Sequence, residues 1–160
     1  MSNITKILVA NRGEIAVRVI HTARELGYRT VAVYSEADAD ALHANEADQA
    51  VCIGAAPVGE SYLVTEKILA AARQTGADAI HPGYGFLSEN AEFSRACESA
   101  GLVFIGPRAE AIELMGSKRL SKLAMLEAGV PCVPGYQDAD QSDETLMAKA
   151  GKIGFPLMVK

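Results

Sequence analysis

Residues 79–90 read AIHPGYGFLSEN, and this stretch decides how the chain folds. A short apolar run leads directly into a turn that contains a proline, two glycines and an aromatic residue. Gly83 and Gly85 permit positive φ angles and allow another group to approach the backbone closely. Ser88 and Asn90 are candidate caps for a helix that begins near residue 91. The stretch therefore predicts a strand, a turn and a helix in succession. A tight loop without a ligand is the plain alternative.

The same order of patterns recurs along the first hundred residues. Five apolar runs rich in β-branched residues predict strands buried on both faces, at 6–10, 30–34, 50–53, 78–80 and 102–105. Helical patterns lie between several of them, at 14–26, 62–74 and 91–99. Each helical pattern is followed by a glycine that can end a helix, namely Gly27, Gly76 and Gly101. This repetition predicts an α/β fold, a Rossmann-like parallel sheet with flanking helices.

The pattern changes after residue 107. Helix-forming residues fill 109–128 with a break at Gly116, and Ser117 follows as a candidate cap for a second helix. Later patterns predict a helix and a strand, at 142–152 and 155–160. We place the predicted domains at 1–115 and 116–160. Because the chain stops on the last strand, we expect it to be the front part of a longer protein whose second domain has only begun.

Composition excludes several classes of protein. The chain has 160 residues, of which 49% are hydrophobic and 22% charged, as in a soluble globular protein. Its net charge of -5 argues against nucleic-acid binding, which needs a cationic face. No apolar run approaches the roughly 20 residues that span a bilayer, and no leader pattern opens the chain. We expect a cytoplasmic protein, or one of the mitochondrial matrix if a leader has been removed. Three widely spaced cysteines, Cys52, Cys97 and Cys132, predict buried thiols rather than disulfides.

Other common chemistries find little support in the sequence. The turn after the first strand, ANRGEIAVR at 10–18, has one glycine where a dinucleotide site has G-x-G-x-x-G. Glu14 would also repel a phosphate at this helix start, so we expect no NAD or FAD. The three histidines, His21, His43 and His81, lack the spacing of metal ligands, and we expect no metal site from them. A serine hydrolase would require a G-x-S-x-G turn, which the sequence lacks.

Two lysines are candidate phosphate ligands. Lys118 follows the cap residue Ser117, so its ammonium would lie beside free amides at a helix start. Lys160 ends an apolar strand, where a charge is unusual unless it points into a cleft. Each lysine alone is more often solvated, and together they indicate a nucleotide site only weakly.

Several stretches together resemble one family, the N-terminal part of biotin carboxylase, an ATP-grasp enzyme of biotin-dependent carboxylases. They are KILVANRGEIAVRVI, the ADADALHANEADQAVCIG region, ESYL, AIHPGYGFLSEN, FIGP, MGSK, AGVPCVPG and GFPLMVK, in the family order and over essentially all 160 residues. The resemblance implies a pre-ATP-grasp domain followed by the beginning of an ATP-grasp domain. Within the family, the chain looks most like the biotin-containing alpha subunit of an acyl-CoA carboxylase of the methylcrotonyl-CoA or geranyl-CoA type.

The resemblance also implies roles for particular residues. In the family, the lysines of the MGxK stretch and of the GxPxxxK strand bind ATP, which points to Lys118 and Lys160. The HPGYG turn lies near the biotin and bicarbonate end of the cleft. This makes Tyr84 and Gly85 candidates for contact with the biotin ureido ring, with His81 in the same vicinity.

The implied reaction joins bicarbonate to biotin at the expense of ATP, through a carboxyphosphate, with Mg²⁺ or Mn²⁺. Biotin itself would be carried outside this segment, on a biotin carboxyl carrier domain, and a carboxyltransferase subunit would use the product. Family resemblance places Arg18 and Glu25 at a homodimer interface, although His21 stands where an arginine is usual. No catalytic residue or metal ligand is assigned within residues 1–160, and the segment alone is expected to be inactive.

Two alternatives stay open. Another ATP-grasp ligase, such as a carbamoyl phosphate or purine-pathway enzyme, would share the fold and the two lysines. Such an enzyme is not expected to show HPGYGFLSEN together with NRGEIA. The other alternative is a non-catalytic assembly module, if the isolated chain acts alone.

Overall fold

A computed structural model describes residues 4–158 of the chain. The chain divides into two compact units, Met1–Glu113 and Leu114–Lys160. The strands are β1 (Lys6–Val9), β2 (Arg29–Tyr34), β3 (Gln49–Cys52), β4 (Ala79–His81) and β5 (Val103–Phe104). The helices are α1 (Gly13–Glu25), α2 (Leu42–Glu46), α3 (Thr65–Thr75), α4 (Ala91–Ser99), α5 (Ala109–Gly116), α6 (Lys118–Glu127) and α7 (Asp143–Ile153). Two short 3-10 turns occupy Glu36–Asp38 and Val58–Glu60.

The first unit is built on one parallel sheet with the strand order β3-β2-β1-β4-β5. Successive residues of a strand face opposite sides, so the central strand β1 feeds two cores. Leu8 lies in the larger core together with Ile68 of α3 and Phe93 of α4. Val9 lies in a second core with Ile20 of α1. Helices thus cover both faces of the sheet, and the predicted α/β fold class is confirmed.

Glycines and one asparagine end and begin the helices as the sequence predicts. Gly27, Gly76 and Gly101 all have positive φ after α1, α3 and α4. The α4 cap is Asn90, whose side chain accepts a hydrogen bond of 2.9 Å from the amide of Phe93. These residues fix where each crossover between parallel strands turns.

Three details of the structure differ from the sequence prediction. β3 lies at the sheet edge and is largely exposed rather than buried on both faces, because it has a single neighbouring strand. The helix expected at 62–74 begins only at Thr65, since Tyr62 is fully buried in the preceding turn, where its hydroxyl bonds to two polar groups. The prediction of buried thiols is correct only for Cys97, because Cys52 is exposed on β3 and Cys132 is half-buried.

The second unit contains α6 and α7, and no residue of either helix is buried. Ser117 caps α6 through the amide of Leu120, as predicted, and Ser142 caps α7 through the amide of Thr145. The predicted strand at 155–160 is wrong for residues 155–158, which form bends and irregular structure. A strand needs a neighbour for its backbone hydrogen bonds, and the described part of this unit contains no other strand. The rest of that prediction, including Lys160, lies outside the described residues.

Candidate functional site

The candidate site lies where the order of the sheet strands changes direction. The chain passes from β1 to β2 on one side, whereas β4 lies on the other side of β1. At such a point the loops after the two adjacent strands separate and leave a crevice at their carboxyl ends. Here the two loops are the β1–α1 turn, which starts at Ala10, and the turn after His81. The backbone amide of Ala10 donates a 2.8 Å hydrogen bond to the carbonyl of His81, which joins the two loops at their base.

Asn11 connects the two loops through its side chain, which is only 4% exposed. Its Nδ2 atom donates hydrogen bonds of 2.8 Å to the carbonyl oxygens of Pro82 and Tyr84. Its Oδ1 atom accepts a 2.9 Å bond from the amide of Arg12. Both amide hydrogens and the carbonyl of this buried side chain are therefore used, as burial requires.

The turn after β4 depends on left-handed backbone. Gly83 has φ of +67°, and a Cβ atom at this position would lie 2.6 Å from Nδ2 of Asn11. Gly85 has φ of +66° and faces open space. Phe86, which is not a glycine, also has a positive φ of +44°. A non-glycine residue in this region costs about 1–3 kcal/mol and persists only where surrounding contacts hold it.

Aromatic stacking and an ion pair between Arg12 and the half-buried Asp38 hold Phe86. Its ring stacks on Tyr62 at a centroid distance of 5.2 Å, and the guanidinium of Arg12 lies 5.5 Å from the Tyr62 centroid and 5.8 Å from that of Phe86. Asp38 accepts hydrogen bonds from Tyr62 (2.7 Å), Ser35 (2.8 Å) and Arg12 (3.3 Å). Burial raises the pKa of Asp38, but these hydrogen bonds outweigh it and leave the pKa below its ordinary value. Asp38 is therefore a carboxylate that anchors Arg12.

An open cavity of about 280 Å³ lies over the two loops. Its lining residues are Asn11, Arg12, Glu14, Ile15, Tyr84, Gly85 and Phe86. Tyr84 is 60% exposed, and its hydroxyl donates a 3.2 Å hydrogen bond to Glu14. The cavity thus offers an aromatic ring, a bare glycine backbone and charges of both signs, which suits a flat polar ligand. Of the predicted biotin-end residues, Tyr84 and Gly85 come together here.

His81 supports the turn but faces a different cavity. Its Nδ1 atom accepts a 3.0 Å hydrogen bond from the amide of Gly83, and burial lowers its pKa, so the neutral ring is favoured. The ring lines a second cavity of about 410 Å³ beside α1, which Arg18 and Leu26 also line. Although His81 is adjacent to the Tyr84 turn, the two side chains line separate cavities.

The predicted dimer residues lie on α1. Arg18 and Glu25 are both exposed and seven residues apart, two helical turns, so they share a face. Within the chain, Arg18 lies 3.7 Å from Glu14. His21 pairs with Glu46 of α2 at 2.6 Å, so this position already has an intramolecular partner.

Lys118 is the first residue of α6 and is exposed, next to the cap formed by Ser117. This is the position that the sequence predicts for a phosphate ligand. Lys160 lies outside the described residues. Within residues 4–158, no group of three histidine, cysteine or acidic side chains is arranged to hold a metal ion. No helix in that range combines the length and apolar character needed to cross a bilayer.

The sequence patterns do not reveal the part played by Asn11. In the turn after the first strand, the patterns argue only against a dinucleotide site. The hydrogen bonds of Asn11 reach Pro82 and Tyr84, which are 71 and 73 positions further along the sequence. The available indication is position, since a polar residue directly after a buried central strand lies at the carboxyl edge where ligands bind in such sheets.

Comparison with known proteins assigns the fold and site to a family. Residues 3–112 match the family described as biotin carboxylase, N-terminal domain. The chain belongs to this biotin carboxylase family. The match covers the whole sheet of the first unit, including the Tyr84 turn, and the resemblance that the sequence motifs indicate is confirmed.

Close relatives include subunits of carboxylases. The chain is 58% identical over 158 residues to the methylcrotonoyl-CoA carboxylase subunit alpha, mitochondrial, of Rattus norvegicus, covering 99% of this chain and 22% of that protein. It is 57% identical over 155 residues to the biotin carboxylase of Halalkalibacterium halodurans, covering 97% of this chain and 34% of that protein. The chain thus spans between a fifth and about a third of the length of these relatives.

Solved structures agree with the fold. The biotin carboxylase of Campylobacter jejuni in complex with β-γ-ATP superposes with a TM-score of 0.92 at 49% identity, over 96% of this chain and 34% of that one. The biotin carboxylase domain dimer of Hydrogenobacter thermophilus 2-oxoglutarate carboxylase, bound to MgADP, ADP and bicarbonate, gives a TM-score of 0.91 at 49% identity, over 98% and 34%.

Proposed function

We propose that the protein containing this chain is an ATP-dependent biotin carboxylase, a ligase that carboxylates protein-bound biotin with bicarbonate. This reaction would be the first half-reaction of an acyl-CoA carboxylase, of the methylcrotonyl-CoA or geranyl-CoA type. The observation that carries the proposal is the Tyr84 turn, which presents an exposed ring over a cavity at the switch point of a sheet of this family. The 58% identity to a methylcrotonoyl-CoA carboxylase alpha subunit supports the choice of carboxylase.

Tyr84 and Gly85 of the first unit form the proposed biotin site. No atom lies within 4 Å of the position that a Cβ atom would take on the left-handed Gly85, so a flat ureido ring can approach its backbone. The Tyr84 ring provides an exposed face beside it, fixed at its hydroxyl by Glu14. His81 stabilises the turn, because the Nδ1 atom of its neutral ring accepts a hydrogen bond from the backbone amide of Gly83. The residues present therefore fit biotin, with bicarbonate bound in the same vicinity.

Lys118 and Lys160 of the second unit are the proposed nucleotide ligands. Lys118 lies at a helix start, where amides and an ammonium favour a phosphate. Solved relatives bound to β-γ-ATP, and to MgADP with bicarbonate, support ATP and Mg²⁺ (or Mn²⁺) as cofactors. The metal would neutralise phosphate charge when bound. We assign neither a metal ligand nor a catalytic residue to residues 1–160. We propose that the first domain spans residues 1–115 and that the ATP-grasp domain begins at residue 116.

The proposed partners are those that the resemblance to the family implies. We propose a biotin carboxyl carrier domain, a carboxyltransferase subunit, and a homodimer in which Arg18 and Glu25 of α1 take part. A dimer of the Hydrogenobacter domain supports the last of these. The proposed compartment is the cytoplasm, or the mitochondrial matrix for a protein imported with a leader.

The test measures biotin-dependent ATP cleavage by the full-length protein. Lys118→Ala and Lys160→Ala should each weaken nucleotide binding by about 1–3 kcal/mol, as expected for the loss of a charged hydrogen bond. Lys152→Ala, which removes an exposed cation from the last turn of α7, is the matched control and should leave nucleotide binding unchanged. Tyr84→Ala should raise KM for biotin more than KM for ATP.

Three results would contradict the proposal or a part of it. Absence of biotin-dependent ATP cleavage in the wild-type protein would refute the activity itself. Unchanged ATP affinity in both lysine variants, with activity retained, would leave the activity standing and refute the nucleotide assignment. An equal loss for biotin and ATP in Tyr84→Ala would indicate a folding role for Tyr84.

A further inference from the structure

Asn11 makes two hydrogen bonds to the Tyr84 turn from the other loop of the crevice. It lies directly after the central strand β1, whose residues are buried. Its single Nδ2 atom holds two carbonyls of the turn, those of Pro82 and Tyr84, each at 2.8 Å. These carbonyls flank Gly83, so the side chain forms hydrogen bonds to the turn on both sides of its first left-handed residue.

Asn11 also packs closely against Gly83. A Cβ atom on Gly83 would lie 2.6 Å from Nδ2, 2.9 Å from Cγ and 3.0 Å from Cβ of Asn11. The asparagine side chain therefore fills the space that a larger residue at 83 would need. Residues 83, 85 and 86 all have positive φ angles, and other backbone conformations compete with this one. Contacts from outside the turn must therefore stabilise the observed conformation.

Tyr84 is therefore hydrogen-bonded to residues 11–14 through both its backbone carbonyl and its side-chain hydroxyl. Asn11 holds its carbonyl, and Glu14 accepts a hydrogen bond from its hydroxyl at 3.2 Å. The bond to the Tyr84 carbonyl is partly buried and shares its donor with the buried bond to Pro82, whereas the hydroxyl bond is exposed to solvent. Buried hydrogen bonds contribute more to a fixed geometry than solvent-exposed ones. The position of the Tyr84 backbone is thus set by Asn11.

We propose that Asn11 is a positioning residue for biotin: its side-chain amide holds the Pro82 and Tyr84 carbonyls so that Tyr84 and Gly85 present their binding surface. This inference rests on the proposed biotin-carboxylating function. It assigns no contact between Asn11 and ATP, and no part in proton transfer.

The test uses Asn11→Asp in the full-length protein. Aspartate has nearly the same shape and keeps an acceptor for the amide of Arg12, but as a carboxylate it cannot donate to the two carbonyls. With free biotin as the substrate, we expect KM for biotin to rise about tenfold or more, the change that corresponds to about 1.4 kcal/mol. KM for ATP should stay within about twofold, since the change is confined to the turn.

Asn45→Asp is the matched control. The Asn45 amide also donates to two backbone carbonyls, those of Asp40 (3.2 Å) and Ala41 (3.3 Å), but at the start of α2 and on the surface. This variant should leave both KM values unchanged. A similar rise in KM for biotin in both variants would show that any such loss perturbs the site, and would overturn the specific role of Asn11.

Hydrogen–deuterium exchange of residues 81–90 gives a readout that does not depend on activity. In the wild type, the amides of Gly83 and Ser88 are hydrogen-bonded, to His81 Nδ1 and to the Gly85 carbonyl. Asn11→Asp should speed exchange in this segment about tenfold, while segments over β2 and α3 stay protected. If Asn11→Asp does not fold, Asn11→Ser, which retains one donor, should give a smaller increase of the same kind.

The outcomes separate this inference from the proposed function. An active wild type with an unchanged KM for biotin in Asn11→Asp overturns the inference alone, as does an equal rise in KM for biotin and ATP. An inactive wild type refutes the proposed function. In that case hydrogen–deuterium exchange alone tests whether Asn11 positions the turn. Unchanged protection of residues 81–90 in Asn11→Asp would overturn the inference.

Discussion

The two units of the chain have very different interiors. Every buried hydrophobic residue within residues 4–158 lies at or before Ile112, in the first unit. The helices α6 and α7 of the second unit contain none, and large apolar side chains such as Val133, Met147 and Phe155 are exposed there. Because burial of apolar surface is the dominant favourable contribution to folding, the stability of this chain resides in its first unit.

The second unit is held instead by local polar contacts. Lys122 donates a 2.7 Å hydrogen bond to the carbonyl of Val133, and Arg119 donates one of 2.7 Å to that of Gln137. Solvent-exposed contacts of this kind contribute little each, since water competes for the same groups. We therefore expect equal substitutions in the two units to have unequal costs.

The largest difference is expected for one pair of phenylalanines in the 160-residue chain. Phe93 is 1% exposed and packs edge-on against Phe104 at a centroid distance of 5.9 Å, whereas Phe155 is 83% exposed. Phe93→Ala should lower the free energy of unfolding by about 3–5 kcal/mol, because it leaves a cavity in the core. Phe155→Ala should change it by less than about 0.5 kcal/mol. Denaturant unfolding followed by circular dichroism measures both. Similar losses in the two variants would mean that the second unit has a packed core.

A pair of glycines should give a smaller difference. Gly83 and Gly129 have nearly equal φ angles, +67° and +72°, so alanine meets similar backbone strain at either position. Only Gly83 also faces a buried side chain, Asn11, at 2.6 Å from the added Cβ, whereas no atom lies within 4 Å at Gly129. Gly129→Ala should cost about 1–2 kcal/mol from backbone strain, and Gly83→Ala should cost about 1–3 kcal/mol more from overpacking. The difference between the two unfolding free energies isolates the packing contribution, and equal costs would mean that Asn11 moves aside without loss.

The fold of the first unit could be predicted because its elements follow from local patterns. Apolar runs ending in turn residues indicate the five strands, and glycines such as Gly27 and Gly76 mark helix ends. Exposure of β3 could not be predicted, since the order of strands, and hence which one lies at the edge, depends on contacts between distant segments. The late start of α3 has the same cause, because Tyr62 is drawn into the core by Ser35 and Asp38, which belong to another loop.

The site was predictable where a motif carries its own chemistry. The glycines and tyrosine of HPGYGF indicate a turn that a ligand approaches, and Tyr84 and Gly85 do line one cavity. That His81 lines a second cavity could not be predicted, because the relative directions of residues 81 and 84 depend on the conformation of the turn between them. Nor could a local pattern show that Asn11 holds a turn more than seventy residues away.

The smallest difference concerns a pair of carboxylates, one in each unit, whose contributions to stability are lost in acid. Asp78 accepts hydrogen bonds from the amides of Thr5 (2.9 Å) and Lys6 (3.0 Å) and so joins the start of β1 to that of β4. Burial raises its pKa, but these bonds and that of the Thr5 hydroxyl outweigh burial and leave the pKa below the ordinary value. In the second unit, bonds from Thr145 and from the amide of Ser142 likewise lower the pKa of Asp140, which is fully solvated.

A carboxylate whose pKa is lower in the folded state adds stability above its unfolded pKa, and this stability is lost as pH falls through the folded pKa. Asp78→Asn should therefore lower the free energy of unfolding by about 1 kcal/mol at pH 7, and it should flatten the decline in stability below about pH 4. Asp140→Asn should change both in the same direction but by less, because water competes for the hydrogen bonds of this exposed carboxylate. Denaturant midpoints between pH 3 and pH 7 measure both, and since the wild type and Asp78→Asn should converge at the acid end, parallel curves would show that Asp78 acts through packing rather than through its charge.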